Sequence, residues 1–280
     1  IALRFLNIAS EFNFKYTVYF IGKDLSNGFH REMAKEWSLQ GHEIGNHSFN
    51  HFPDLGTLPK EAIRDEIEKA HNIIYLATGK EPKGFISPLW SGSREMREVL
   101  IELHYEYDTS LYPSWMLLPM CLRIATSYKN NYKKTISMLN RKDWLDSIIA
   151  SPEPQLYSSS ENLLQGKLVI LPLPVTSYRF PCWHTLGFML GWRVQKIILR
   201  NALKSRKYFY YLTHPADLFS EEDVDLSIPH NLPRVDHPIE EKIHHYREAV
   251  KQIIDSGRIL VTMEHLNKRF RQEQKNNNQI

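Results

Sequence analysis

Short apolar segments alternate with amphipathic helical ones along most of the chain, and that alternation limits the fold more than any other feature. "YTVYFIG" (16–22), a β-branched and aromatic run closed by glycine, reads as a buried strand. Residues 29–39 read as a helix stopped by Gly41, and "HEIGNH" as a short strand. "LPKEAIRDEIEKAHNIIYLAT" has Pro59 near its start, acids early, an Ile63–Ile67 pair and Gly79 as a stop, which predicts a helix. "KGFIS" follows as a strand, "SREMREVLIELH" as a helix with Ser93 as N-cap, and "YEYDTS" as another strand. An irregular portion, 111–166, contains "SPEP" and "SSSEN". Alternation then resumes: the strand "KLVILPLPVT", a helix over 186–204, the strand "KYFYYLTH", a helix over 239–254 and the strand "RILVTM". Strands alternating with helices imply parallel βαβ units.

A chain of 280 residues with 42% hydrophobic content can bury one barrel-sized core. The expectation is one α/β domain, a closed or nearly closed barrel over residues 1–270, with a frayed, disordered tail at 271–280. "IALRFLNIASEF" is helical from its first residue, with Leu3, Phe5 and Leu6 on or near one face that Ala9 and Phe12 continue. No cap residue precedes it, so the chain is expected to be truncated or processed, with a strand and any signal peptide upstream of Ile1.

Charge excludes one class of partner. Lys and Arg number 35 against 32 Asp and Glu, a net charge of +3 that gives no grip on nucleic acid. No apolar run is long enough to span a membrane. Only Cys121 and Cys182 occur, far apart, so no disulfide framework is expected and a cytoplasmic location is favoured.

In α/β barrels the working face is the C-terminal end of the strands. Four predicted strands end in polar chemistry: at His47-Ser48-Phe49-Asn50-His51, at Ser87-Pro88-Leu89-Trp90, at Asp108-Thr109-Ser110 and at His214. His47 and His51, four apart on a helical turn, would face one cation at about 2.0–2.1 Å from each nitrogen. The same pair also reads as hydrogen-bonded loop histidines, since a ligand pair needs a third donor and none is evident beside it. His214 reads as a packed residue or, beside a carboxylate such as Asp108, as a general acid. Asp108 itself reads as that carboxylate or as a turn aspartate capping Ser110. Trp90 and Tyr112 read as sugar-stacking platforms or as rim packing.

Together these segments resemble the polysaccharide deacetylases, the NodB-type domains of carbohydrate esterase family four. "GHEIGNHSFNH" resembles their H-[ST]-x-x-H motif, "KYTVYFIG" their A-T-F-F-V-x-G strand, "YDTSLYP" their D-x-S-x-x-P segment and "YLTH" their L-x-H segment, in the family's order over residues 1–266. "SPEPQLY" and "ILPLPVT" resemble a glycan-deacetylase subgroup. The resemblance implies a distorted (β/α)7 barrel whose first strand lies ahead of Ile1. It implies a divalent metal, usually zinc, bound by one aspartate and by His47 and His51. His214 would be the acid that protonates the departing amine, oriented and kept charged by Asp108. Ser48 would shape the ligand loop, Leu212 would line the acetyl pocket, and Pro88, Leu89, Trp90 and Ser110 would join them against an acetylated carbohydrate. The implied reaction removes N-acetyl, or O-acetyl, groups; a non-catalytic carbohydrate-binding relative and a small-amide hydrolase are the alternatives. Two departures stand out. The family's aspartate pair is expected upstream of Ile1, and Ile86 occupies the place of the family's arginine.

Overall fold

The computed structural model describes residues 1–127, 136, 139, 141, 143–157, 168–223 and 234–277. Its strands are β1 (Thr17–Phe20), β2 (Glu43–Asn46), β3 (Gly84–Phe85), β4 (Tyr107–Asp108), β5 (Gln155–Tyr157) and β6 (Leu168–Ile170). Its helices begin with α1 (Ala2–Glu11), α2 (Gly28–Leu39), α3 (Lys60–Thr78), α4 (Arg94–Glu102) and α5 (Leu117–Ser127). They continue with α6 (Trp144–Ile149), α7 (Leu186–Leu190), α8 (Trp192–Ser205), α9 (Ile239–Asp255) and α10 (Met263–Asn277). Chain contacts gather these elements into two compact units, Tyr16–Leu173 with Thr262–Ile280, and Ile1–Lys15 with Pro174–Val261.

The first unit holds the sheet, in the order β1-β2-β3-β4-β6-β5. Every pairing is parallel except β5 with β6, which is antiparallel. Parallel pairing follows from the crossover helices, since a strand that returns through a helix enters the sheet in the same direction. On α3 the apolar residues Ile63, Ile67, Ala70, Ile74 and Ala77 recur at helical spacing and are buried, and Gly79 ends the helix at φ 69°. Ser93 caps α4 as expected, its side chain accepting from the Met96 N–H at 3.1 Å. Ile63 and Ile67, Met96, Val99 and Leu100, Phe85, and Leu168 and Ile170 close one apolar core between helices and sheet. Gly84 lies under the Tyr107 ring: a Cβ there would sit 2.0 Å from the phenolic hydroxyl oxygen. α10 completes this unit. Its Phe270 is buried, Arg271 donates to the Glu106 carbonyl at 2.8 Å, and the helix continues to Asn277 through most of the segment expected as a frayed tail.

The second unit packs Ile198, Leu199, Ala202 and Leu203 of α8 against Ala249 and Ile253 of α9, around Cys182. Gly191, at φ 86°, breaks the single helix expected over 186–204 into α7 and α8. α1 buries Phe5, Ile8 and Ala9, which share a face at i, i+3 and i+4, and it leaves Leu3 exposed. Two expected strands do not form. Residues 207–214 and 258–262 are irregular, and Met263 already opens α10. Their aromatic and aliphatic side chains satisfy the core without a ladder, as Phe209, Tyr211 and Leu260 pack on the α8–α9 cluster.

Candidate active site

Register places three of the expected strand ends in one row. Asn46 pairs with Phe85 and Phe85 with Asp108, so His47, Ile86 and Thr109 leave adjacent parallel strands side by side.

Asn46, fully buried, anchors the histidine loop. Its amide donates to the Ile67 carbonyl at 2.9 Å and the Tyr105 hydroxyl at 2.7 Å, and its Oδ1 accepts from the Ser48 N–H at 2.8 Å. Glu66 then binds the loop from α3, accepting from the Asn50 N–H at 2.8 Å and the Asn50 amide at 2.6 Å. Two more bonds tie the loop to the residues after β1: Gly22 N–H to the Ser48 carbonyl, and Lys23 N–H to the Phe49 carbonyl. The two histidines do meet, with ring centroids 4.8 Å apart and planes at 76°. A helical turn is not what brings them together. Ser48 and His51 have φ of 61° and 60°, left-handed conformations that fold the loop back on itself and that non-glycine residues adopt only when held. Ser48 is buried and its hydroxyl accepts from the His51 N–H at 3.2 Å, so it shapes the loop from inside.

His47 has its Nδ1 2.7 Å from the Ile86 carbonyl oxygen. That bond makes Nδ1 the donor and Nε2 the nitrogen with a lone pair, the arrangement typical of an imidazole that ligates a metal. The pair therefore suits two positions around a cation. Among the described residues no group of three or more His, Cys, Asp or Glu gathers to hold one, so the donor set present here does not close a metal site.

Around the neighbouring strand ends, packing dominates. Trp90 is buried with its ring 5.0 Å from Tyr112, and Pro88 is buried beside it. Leu89 and Trp90 have φ of 50° and 54°, and Arg141 clamps both of their carbonyls with bonds of 2.5 Å. Ser110 is buried, its hydroxyl accepting from the Ser87 N–H at 2.8 Å. Asp108, wholly buried, accepts from the Ser110 N–H at 2.8 Å and faces Arg97 Nε at 3.4 Å.

The second unit carries Leu212 and His214. The half-buried Leu212 accepts from the His184 N–H through its carbonyl at 2.9 Å. His214 is exposed at one edge but closely packed elsewhere; that packing lowers its pKa from the ordinary value, and the Asp217 carboxylate opposes it. Its Nδ1 lies 3.1 Å from the Thr185 hydroxyl, which reaches both Asp217 oxygens at 3.0 and 3.2 Å.

Asn46, Glu66, Arg97, Thr185 and Asp217 had not been singled out from the sequence. Glu66 had a signal, a carboxylate inside the apolar stripe of α3, and Asp217 had one too, three residues after His214 in the spacing of a capping box.

The family model described as polysaccharide deacetylase matches residues 2–107. The peptidoglycan deacetylase of Helicobacter pylori is 28% identical over 152 residues, which are 53% of this chain and 50% of that protein. The peptidoglycan-N-acetylmuramic acid deacetylase PdaA of Bacillus subtilis is 40% identical over 57 residues, 20% of this chain and 21% of that protein. The chain thus spans half or less of the length of these curated relatives. Among solved structures, a Mycobacterium smegmatis protein assigned to the polysaccharide deacetylases aligns with TM-score 0.59 and 15% identity over 98% of this chain and 77% of its own. Puue allantoinase aligns with TM-score 0.59 and 12% identity over 95% and 70%. At such identities the likeness speaks for fold alone, and it is consistent with a distorted (β/α)7 barrel. Residues 2–107, with the histidine loop they contain, are thus the part of the chain that is similar to the polysaccharide deacetylases.

Proposed function

We propose that the protein is a hydrolase that removes N-acetyl groups from a glycan, with peptidoglycan strands the substrate class favoured by the names of its relatives. One observation carries this reading: the loop after β2 spends two left-handed residues and a buried Asn–Ser–Glu network on holding two imidazoles 4.8 Å apart. A divalent cation, zinc by expectation, would be held in part by His47 and His51 and would polarise the acetamide carbonyl. The donor set described above leaves that site open, so the remaining steps rest on the chain's own groups. His214 gives a proton to the departing nitrogen as the C–N bond breaks, so that it leaves as a neutral amine and not as an amide anion, a poor leaving group. Asp108 supplies a buried carboxylate at the end of β4, beside the end of β3. Ser48 fixes the loop, and Pro88, Leu89, Trp90, Ser110 and Leu212 shape the surroundings of the sugar and its acetyl group.

A second reading, a carbohydrate-binding relative without catalysis, is favoured by the buried Ile86 at the place of the family's arginine. Metal content and acetate release from N-acetylated peptidoglycan strands separate the two. His47→Ala and His214→Ala should each abolish release while leaving cooperative unfolding intact. Release surviving both substitutions removes the mechanism; saccharide affinity that persists after chelation, with no release, supports the binding reading.

A further inference from the structure

Thr185 immediately precedes α7, and its hydroxyl caps none of that helix's N–H groups. A threonine at a helix start ordinarily spends its oxygen on such a cap, worth about 1 kcal/mol. Here the hydroxyl lies instead between His214 Nδ1 at 3.1 Å and the two oxygens of Asp217 at 3.0 and 3.2 Å.

Asp217 is wholly buried and richly held. Besides Thr185 it accepts from the Thr213 hydroxyl at 3.0 Å and the His214 N–H at 2.8 Å, and Arg234 faces it at 3.4 Å. None of these partners is free to turn away, because each bond satisfies a group inside the fold. A threonine hydroxyl has one proton to give. Bonds to a carboxylate are about twice as strong as neutral ones, so that proton goes to Asp217. The Thr185 oxygen can then only accept, and His214 Nδ1 must carry the hydrogen that it accepts.

We infer that Thr185 and Asp217 are positioning residues for His214, a His214–Thr185–Asp217 relay that locks the imidazole as the Nδ1–H tautomer and reserves Nε2 for proton transfer. An unrestrained imidazole prefers the opposite tautomer, so the relay sets which nitrogen works. The catalytic part rests on the proposed role of His214; the tautomer does not.

The test separates them. Nitrogen-15 NMR of the full 280-residue chain, with His214 identified by the signal lost in His214→Ala, reads the tautomer directly. The wild type should show Nδ1–H; Thr185→Val, which keeps the shape and removes the hydroxyl, should shift His214 toward Nε2–H; and Thr185→Ser should restore it. In acetate release, Thr185→Val should lower kcat about 10- to 100-fold, part of the about 10²–10⁴-fold a general acid contributes, with KM little changed and rescue by Thr185→Ser. A wild-type His214 in the Nε2–H form, or a spectrum that Thr185→Val leaves unchanged, overturns the relay. The expected tautomers with release undiminished in His214→Ala would keep the relay and remove the proposed mechanism.

Discussion

The Nδ1 of His47 lies 2.7 Å from the carbonyl oxygen of Ile86, so the position where the resemblance leads one to expect arginine serves the histidine loop through its backbone. The Ile86 N–H in turn donates to the Asn46 carbonyl at 3.1 Å, and its side chain is 6% exposed. Ile86→Val keeps both bonds and should cost about 1 kcal/mol, the usual loss for one buried methyl. Ile86→Arg forces a guanidinium into the same space and should cost about 3 kcal/mol unless a carboxylate meets it there. Urea unfolding of both variants measures the difference. An Ile86→Arg protein as stable as the wild type would mean that a carboxylate stands within its reach.

Arg97 and Asp108 form a second pair with a defined cost of separation. The carboxylate is wholly buried, and the guanidinium, one-fifth exposed, also lies over the Tyr157 ring at 5.6 Å. Arg97→Ala leaves Asp108 with the Ser110 N–H. Because Arg97 keeps partial access to water, the loss should be about 2 kcal/mol, below the about 3–5 kcal/mol typical of a fully buried pair. Adding Asp108→Asn should recover part of it in a double-mutant cycle. Strict additivity would show that the two side chains do not interact.

Gly84 and Tyr107 illustrate a constraint that side-chain chemistry does not announce. Tyr107 is pinned across the glycine by its bond to Glu43 at 2.5 Å and by the Tyr19 hydroxyl at 3.3 Å, so the ring cannot swing aside for a methyl 2.0 Å from its oxygen. Gly84→Ala should cost about 3 kcal/mol, the upper end of overpacking penalties. Combining it with Tyr107→Ala, which empties the space, should cost less than the two changes summed, as read from denaturation midpoints.

How far the sequence discloses such relations depends on whether they are local. The helix boundaries of α3 and α4 were legible because Pro59, Gly79 and Ser93 act on the next turn of chain. The histidine loop was legible as a motif, although its geometry was not: φ above zero at Ser48 and His51 has no signature in those residue types. The apolar runs at 207–214 and 258–262 read as strands because periodicity reports burial and not whether a ladder partner is present. Asp108 offered no hint of Arg97, eleven residues back on a helix, and His214 none of Thr185, 29 residues away. Partners brought together by tertiary folding leave no spacing to read.

His184 ties stability to pH in a way that can be worked out in sign. Its ring is wholly buried, with Nδ1 3.1 Å from the Tyr211 hydroxyl, and burial lowers its pKa to about 4, with Asp217 opposing the shift. In the unfolded chain the value returns to about 6.5. Between these values the unfolded state binds more protons than the folded one, so stability rises with pH there. The contribution is complete above pH of about 6.5 and is lost as pH falls toward the folded value, about 3 kcal/mol over the whole window. His214 and His245 have lowered pKa values as well and act in the same direction, so total acid sensitivity would not identify His184. The comparison that does is the urea midpoint of wild type against His184→Gln between pH 4 and 7. The wild type should lose stability more steeply on acidification, with the two curves converging downward; parallel curves would mean that His184 is not the buried neutral group that this packing requires.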